Sequence, residues 1–188
     1  MNTPFNFHLT QFSNEAEILR YEVREFLSDA LKDISKETRA ETWYGADEEF
    51  SKKVGKKGWI GLNWPKEYGG AGRSAMERYV ILEEMLTAGA PVGAHWISDR
   101  QSGPLIIRYG TEKHQKELLP GILKGESYFC IGMSEPDSGS DLAALRTKAE
   151  KKDNIYIVNG TKLWTSGAHR CQYMIACFRT SQEEDRHG

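Results

Sequence analysis

The chain has 188 residues, of which 39% are hydrophobic and 28% are charged. This composition is typical of a folded globular protein and excludes an intrinsically disordered chain, which lacks the apolar residues for a core. Lysine and arginine total 25, against 27 aspartates and glutamates, for a net charge of −2. The near balance argues against a general nucleic-acid or membrane-surface binder, since both need an excess of basic residues.

Cysteine and histidine spacing does not match a metal site or a disulfide framework. The 3 cysteines and 5 histidines include no CxxC and no HExxH pattern, so neither zinc nor disulfide cross-links are expected. No apolar stretch approaches the roughly 18 residues of a membrane-spanning helix. The N-terminus lacks the pattern of a secretory signal or a transit peptide. We therefore expect a cytoplasmic protein, with the mitochondrial matrix as the alternative.

Residues 14 to about 125 have the period of α-helices. The first predicted helix carries apolar side chains three or four positions apart: Leu19, Val23, Phe26 and Ala30. Such a stripe is typical of a helix with one buried face. Asn14 followed by Glu17 suggests a capped start for this helix.

Three further helices are predicted in the same half of the chain. Ser74 and Glu77 match a capping box, and the helix that they start ends near Gly89. The next helix spans about 92–108, and a fourth starts at Thr111. These segments predict an all-helical N-terminal part.

The period changes after residue 125. Residues 127–133 are rich in aromatic side chains without a helical stripe and predict a strand, as do residues 173–178. Residues 155–158 and 161–164 flank Asn159-Gly160, a strong signal for a β-hairpin. Helices followed by strands predict an α+β fold with segregated parts. We place an α-helical domain at 1–125 and a partial β domain, an antiparallel barrel or sandwich, at 126–188.

Two glycine-containing loops are candidate ligand sites. Residues 70–75 match the GxGxxA form of a dinucleotide fingerprint, but Trp64-Pro65 precede them where a buried strand is required, so this match is discarded. Residues 134–141 (SEPDSGSD) directly follow the first predicted strand. They form either a nest for an anion such as a pyrophosphate, or a turn in which Asp137 and Ser138 cap their own backbone.

Two other segments carry polar groups beside aromatic or apolar ones. Trp164, followed by Thr165 and Ser166, is either a wall for a flat ring with polar edges or a core tryptophan. Asp99-Arg100 lies inside a predicted helix. This pair is either an interhelix ion pair, a solvated face or the polar lining of a substrate pocket.

Four motifs taken in order resemble the acyl-CoA dehydrogenase family. They are PKEYGGAG at 65–72, YGTE to LLP at 109–120, MSEPDSGSDLA at 133–143 and NGTKLWTS at 159–166. The resemblance is close and spans nearly the whole chain. It implies an N-terminal helical domain, a central β domain and a C-terminal four-helix bundle that this chain lacks.

The resemblance also implies FAD and the α,β-dehydrogenation of an acyl-CoA thioester. A carboxylate base takes the α proton, and the flavin N5 accepts the β hydride. Carried over by position, the residues expected to bind the flavin are Ile131, Gly132, Met133, Ser134, Gly139, Ser140, Trp164, Thr165 and Ser166. Ser140 would also face the CoA part of the substrate. Ser134 and Ser166 stand where threonine is commoner in the family, and both keep the hydroxyl.

The catalytic glutamate of the family lies in its C-terminal domain, and no acidic residue of this chain matches it. We therefore assign no catalytic residue and expect this polypeptide alone to be inactive and to bind FAD weakly or not at all. Arg100 is expected to contact the acyl group, which favours a polar or ring-bearing substrate over a plain fatty chain. The expected partners are an electron-transfer flavoprotein and further copies or subunits of the enzyme.

Two alternatives to the dehydrogenase remain open from the sequence. The first is a non-catalytic binding module or subunit that pairs with another chain. The second keeps the fold and changes the chemistry, as in an acyl-CoA oxidase or a flavin monooxygenase.

Overall fold

The computed structural model describes residues 11–181, which form a helical part followed by a small β region. The α-helices are α1 Asn14–Ala30, α2 Lys36–Ala40, α3 Glu48–Lys56, α4 Ala75–Thr87, α5 Gly103–Tyr109 and α6 Glu112–Leu123. The strands are β1 Phe129–Gly132, β2 Lys148–Lys152, β3 Ile155–Asn159 and β4 Tyr173–Ala176. The predicted fold class, helices first and then strands, is confirmed.

Helix α1 buries the stripe that its sequence predicts and packs against α4. Leu19 and Val23 are fully buried in the core, which joins side chains of α1, α3, α4 and α6. The predicted cap at Asn14 is wrong by one position. Ser13 is the N-cap, and its hydroxyl accepts from the backbone N–H of Ala16 at 3.3 Å, because the capping oxygen must stand before the first helical residue.

The capping box predicted for α4 is confirmed. The Ser74 hydroxyl accepts from the Glu77 N–H at 3.2 Å, and the Glu77 carboxylate accepts from the Ser74 N–H at 2.8 Å. Both bonds use backbone donors that have no partner inside the helix. They fix the start of the helix that packs along α1.

Replacing Ser74 with alanine is expected to lower the free energy of unfolding by about 1 kcal/mol, because one end of this box is lost. Chemical denaturation followed by tryptophan fluorescence measures the change. Ser28→Ala is the control, since the Ser28 hydroxyl is exposed and bonds only a carbonyl of its own helix. Equal destabilisation by both variants would contradict the role given to the box.

The helix predicted at 92–108 is interrupted. A π-helical turn at Ser98–Ser102 precedes α5, and the Gly103 N–H donates to the Ser98 carbonyl five residues earlier. Pro104 lacks a backbone N–H, which favours a break in the regular ladder of helical hydrogen bonds at this point. The wider turn buries Ser98, Asp99 and Ser102 together.

The β region contains two separate pairs of strands. β1 and β4 pair in parallel, with Phe129 opposite Tyr173, and β2 and β3 pair antiparallel, with Lys152 opposite Ile155. The turn of this hairpin contains Asp153 at φ 55°, a left-handed conformation that aspartate adopts more readily than most residues. β1 follows the helical part and leads directly into the loop of interest.

The hairpin predicted around Asn159-Gly160 is wrong. β3 pairs with the segment before it, and residues 161–164 form no strand. The Leu163 N–H donates instead to the Ser134 carbonyl at 2.8 Å, which holds this segment beside the loop after β1. Long-range contacts therefore override the local turn signal.

Of the helices within residues 11–181, none combines the length and the apolar character that crossing a membrane requires.

Candidate flavin cleft and adjoining groove

A cleft of about 230 Å³ lies where the end of β1 meets the segment after β3. It is lined by Trp43, Ile97, Ile131, Met133, Ser134, Leu163, Trp164 and Ser166. Five of the nine residues predicted to bind a flavin line this space: Ile131, Met133, Ser134, Trp164 and Ser166. Apolar walls and two hydroxyls thus surround one opening.

Trp164 extends its indole into solvent at the edge of the cleft. Its side chain is 86% exposed, which overturns the alternative of a core tryptophan. Its backbone has φ 59°, and the Trp164 carbonyl accepts from the Ser166 N–H at 2.9 Å. A bulky residue in the left-handed region is strained, and such strain is found preferentially at functional sites.

The loop at 134–141 is a tight turn. The Glu135 N–H donates to the Ser138 carbonyl at 2.7 Å, and the Ser138 hydroxyl donates to the Asp141 carbonyl at 2.8 Å. The structure thus shows the backbone cap expected of Ser138, whereas the Asp137 carboxylate pairs with Arg146 at 3.2 Å. Ser134 lies on the cleft side of this turn. Gly139 and Ser140 are exposed and do not line the cleft.

Gly132 and Thr165 do not line the cleft either. A Cβ on Gly132 would lie 2.5 Å from the Met174 sulfur, so the glycine lets β1 pack closely against β4. The structure gives Gly132 this packing role.

A buried ion pair, missed by the sequence analysis, joins the two sides of the cleft. The Lys162 ammonium lies 2.7 Å from the Glu135 carboxylate, and the two side chains are only 9% and 5% exposed. The carboxylate also accepts from the backbone N–H groups of Arg146 at 2.6 Å and Thr147 at 3.0 Å. The sequence signal was one acidic and one basic residue inside two of the family motifs, Glu135 in 133–143 and Lys162 in 159–166.

The charge of Glu135 is stabilised at this position. Burial opposes the ionised form, but the hydrogen bonds from Lys162 and from two backbone N–H groups outweigh it and lower the pKa of Glu135 to about 2. A carboxylate with this pKa is a poor proton acceptor. It holds the cleft together and is not suited to act as a base.

A second depression, of about 590 Å³, lies between α4 and the π-helical turn; we call it the α4 groove. Its lining includes Arg78, Tyr79, Leu82, Glu83, Leu86, Trp96 and Arg100. Trp96 lines the α4 groove while its neighbour Ile97 lines the cleft. The two depressions therefore flank one helical turn.

Asp99 and Arg100 have different environments. The Asp99 carboxylate lies 2.6 Å from the Arg78 guanidinium and accepts from the Gly61 N–H at 2.8 Å, so the interhelix ion pair is confirmed for Asp99. Arg100 is exposed, with its guanidinium carbon 4.7 Å from the centre of the Trp96 ring. The structure separates two residues that the sequence presents as one pair.

Family models match almost the whole chain. The model for the acyl-CoA dehydrogenase N-terminal domain matches residues 13–126, and the model for the middle domain of the same family matches residues 130–188. The two matches follow each other in the order of the helical and β parts described above.

Relatives and solved structures agree with these models. Acyl-CoA dehydrogenase FadE26 of Mycobacterium tuberculosis is 37% identical over 177 residues, which are 92% of this chain and 44% of the relative. A structure named Tcur3481-Tcur3483 steroid ACAD is 38% identical, with a TM-score of 0.84, covering 94% of this chain and 46% of that one. The ChsE4-ChsE5 complex from Mycobacterium tuberculosis is 37% identical, with a TM-score of 0.82 and coverages of 93% and 44%. This chain spans less than half the length of these proteins.

Proposed function

The chain belongs to the acyl-CoA dehydrogenase family, and from this premise we propose that it contributes the N-terminal and part of the middle domain to an FAD-dependent enzyme that dehydrogenates an acyl-CoA thioester. The family is established by models that match residues 13–126 and 130–188. Relatives such as FadE26 are named acyl-CoA dehydrogenases, which are oxidoreductases. Cofactor, substrate and partners are the parts of this proposal that experiment must test.

The observation that carries the proposal is the shared cleft. Ser134 and Ser166 supply hydroxyls, Ile131 and Met133 supply an apolar wall, and Trp164 supplies an exposed indole face. A tricyclic ring with one polar edge fits this set, because the indole can stack on its face while the hydroxyls bond its heteroatoms. FAD, when bound, would supply the redox chemistry by accepting a hydride at N5.

The catalytic base is proposed to come from outside residues 11–181. Within that range no acidic or histidine side chain lines the cleft, and Glu135 is committed to Lys162 and two backbone N–H groups. A base must reach the proton that it abstracts. Since no acidic residue of the chain matches the catalytic glutamate of the family, we expect the 188-residue polypeptide by itself to show no turnover.

The substrate is proposed to lie across both depressions. The acyl group would occupy the α4 groove at Arg100, and Ser140, which is exposed, would contact the CoA part. The relative described as a steroid ACAD supports a ring-bearing acyl group. An electron-transfer flavoprotein as acceptor and a cytoplasmic location complete the proposal.

Trp164→Ala is expected to weaken FAD binding about tenfold, because the stacking face is lost. Titration of the apoprotein, made from the complete reading frame, with FAD and detection by flavin fluorescence measures the dissociation constant. Tyr109→Ala is the control, since Tyr109 is 70% exposed on α5 and does not line the cleft. No flavin binding by the unaltered protein, or an equal loss in both variants, would contradict the proposed cofactor site.

A second function is supported by one comparison. A solved relative is a complex of two named components, ChsE4 and ChsE5, which favours a subunit that pairs with a different chain. Co-expression with each component of the ChsE4-ChsE5 complex in turn, followed by size-exclusion chromatography, separates the cases. A stable mixed complex whose flavin and turnover persist after Trp164→Ala would favour the non-catalytic subunit.

A further inference from the structure

We propose that Arg100 in the α4 groove binds a carboxylate carried by the acyl group, so that the preferred substrate is a thioester with a second, anionic acid function. This inference rests on the proposed function and adds to it the chemical class of the substrate.

The charge balance of the α4 groove leaves one cation without a counter-ion. Glu83 is paired with Arg20 and also accepts from the Tyr79 hydroxyl at 3.1 Å. Arg78 is paired with Asp99. Across residues 11–181, no acidic side chain forms an ion pair with Arg100, so an anionic ligand complements the groove.

The geometry of Arg100 suits a carboxylate in particular. Its guanidinium lies over the Trp96 ring at 4.7 Å, and a cation on an indole face is stabilised and restricted in orientation. No hydrogen bond of the Arg100 guanidinium occurs among residues 11–181, so its N–H groups are available to a ligand. These groups can donate two parallel hydrogen bonds to one carboxylate.

The remaining surface of the α4 groove suits the hydrocarbon part of such a ligand. Leu82 is half-buried, and Leu86 and Tyr79 are 39% and 51% exposed along the same face of α4. Covering this surface removes apolar area from water. An amphipathic acyl group, apolar along its body and anionic at its far end, therefore matches both parts of the groove.

The test compares two thioesters that differ only at the far end of the acyl chain, decanoyl-CoA and its 9-carboxynonanoyl counterpart. Binding to the holoenzyme from the complete reading frame is measured by isothermal titration calorimetry, and turnover is measured separately. Arg100→Leu is expected to weaken binding of the carboxylated thioester about 10- to 100-fold and to leave the methyl-ended one nearly unchanged. For the carboxylated thioester, the affinity of the Arg100→Lys variant is expected to lie between those of the unaltered protein and of Arg100→Leu, because lysine keeps the charge and loses the paired donors.

The matched control is Arg108→Leu. Arg108 is also exposed, and its guanidinium carbon lies 5.2 Å from the centre of the Tyr109 ring, but it lies outside the α4 groove. The substitution should therefore change the affinity for neither thioester. An equal effect of Arg100→Leu on both thioesters overturns the inference. So does a structure of the complete protein in which another segment covers the α4 groove. If the enzyme turns over acyl-CoA but Arg100→Leu does not change its preference between the two thioesters, the inference alone is refuted. If the protein binds neither flavin nor thioester, the proposed function is refuted as well.

Discussion

Glu135→Ala is expected to lower the free energy of unfolding by about 3–5 kcal/mol, because it leaves the Lys162 ammonium buried without a counter-ion. The same change removes the acceptor for the backbone N–H groups of Arg146 and Thr147. Chemical denaturation measures the loss. Because Glu135 and Lys162 lie on opposite sides of the cleft, FAD affinity is expected to fall with stability.

The control for this prediction lies in the same loop. Asp137 pairs with Arg146 at 3.2 Å, but both side chains are more than two-thirds exposed, at 70% and 79%. An exposed pair contributes about 0–1 kcal/mol, so Asp137→Ala should change little. If Glu135→Ala costs no more than Asp137→Ala, the ion pair does not hold the cleft.

The contribution of Glu135 to the free energy of unfolding also depends on pH. Its pKa is lowered from 4.5 to about 2 in the folded protein, so the stabilisation is fully present above about pH 4.5 and is lost as the pH falls towards 2. Glu135→Gln does not titrate at this position and should lack that part of the pH dependence. Measuring the free energy of unfolding of both proteins against pH separates the titration of Glu135 from that of other groups. One such group is His95, which is buried and whose pKa is lowered by burial to about 4.

Asp99→Ala is the second substitution with a large expected effect, again about 3–5 kcal/mol of unfolding free energy. It removes the buried partner of Arg78, which joins the π-helical turn to α4, and the acceptor of the Gly61 N–H. The α4 groove is built on this junction. We therefore expect weaker acyl-CoA binding along with lower stability.

Asp29→Ala is the comparison for Asp99→Ala. Asp29, near the end of α1, pairs with Lys32 just beyond it at 2.7 Å, and the two side chains are 80% and 66% exposed. Its removal should cost less than about 1 kcal/mol. Melting temperatures of the two variants separate a buried pair from an exposed one, and similar values would show that the Asp99 pair is not important for folding.

Local features of the fold could be read from the sequence where the signal and its physical cause lie within a few residues. The capping box at Ser74 and Glu77 is such a case, since its two bonds join groups three positions apart. The change from helices to strands near residue 125 is another, because it follows from the period of apolar side chains. The boundary between domains at 125 and 126 itself stays a prediction.

Features that depend on distant partners could not be read in the same way. Asn159-Gly160 signals a hairpin, but Leu163 bonds the Ser134 carbonyl instead. The position of Trp164 at the cleft and the burial of Glu135 are further examples. Each depends on contacts with residues that are at least 27 positions away in the chain. Motif resemblance found five of the eight residues that line the cleft and missed Trp43, Ile97 and Leu163. The flavin roles of all nine predicted residues stay predictions.

By itself, the sequence determined the family, the order of helices and strands and the segments that meet at the cleft, because these follow from local periodicity and ordered motifs. Only the tertiary structure decided that Asp99 is a buried ion-pair partner, that Arg100 lies over the Trp96 ring and forms no ion pair within residues 11–181, and that Glu135 is a structural carboxylate. The physical reason is that the role of a charged side chain is set by its burial and its partner, and both are fixed by residues far away in the chain.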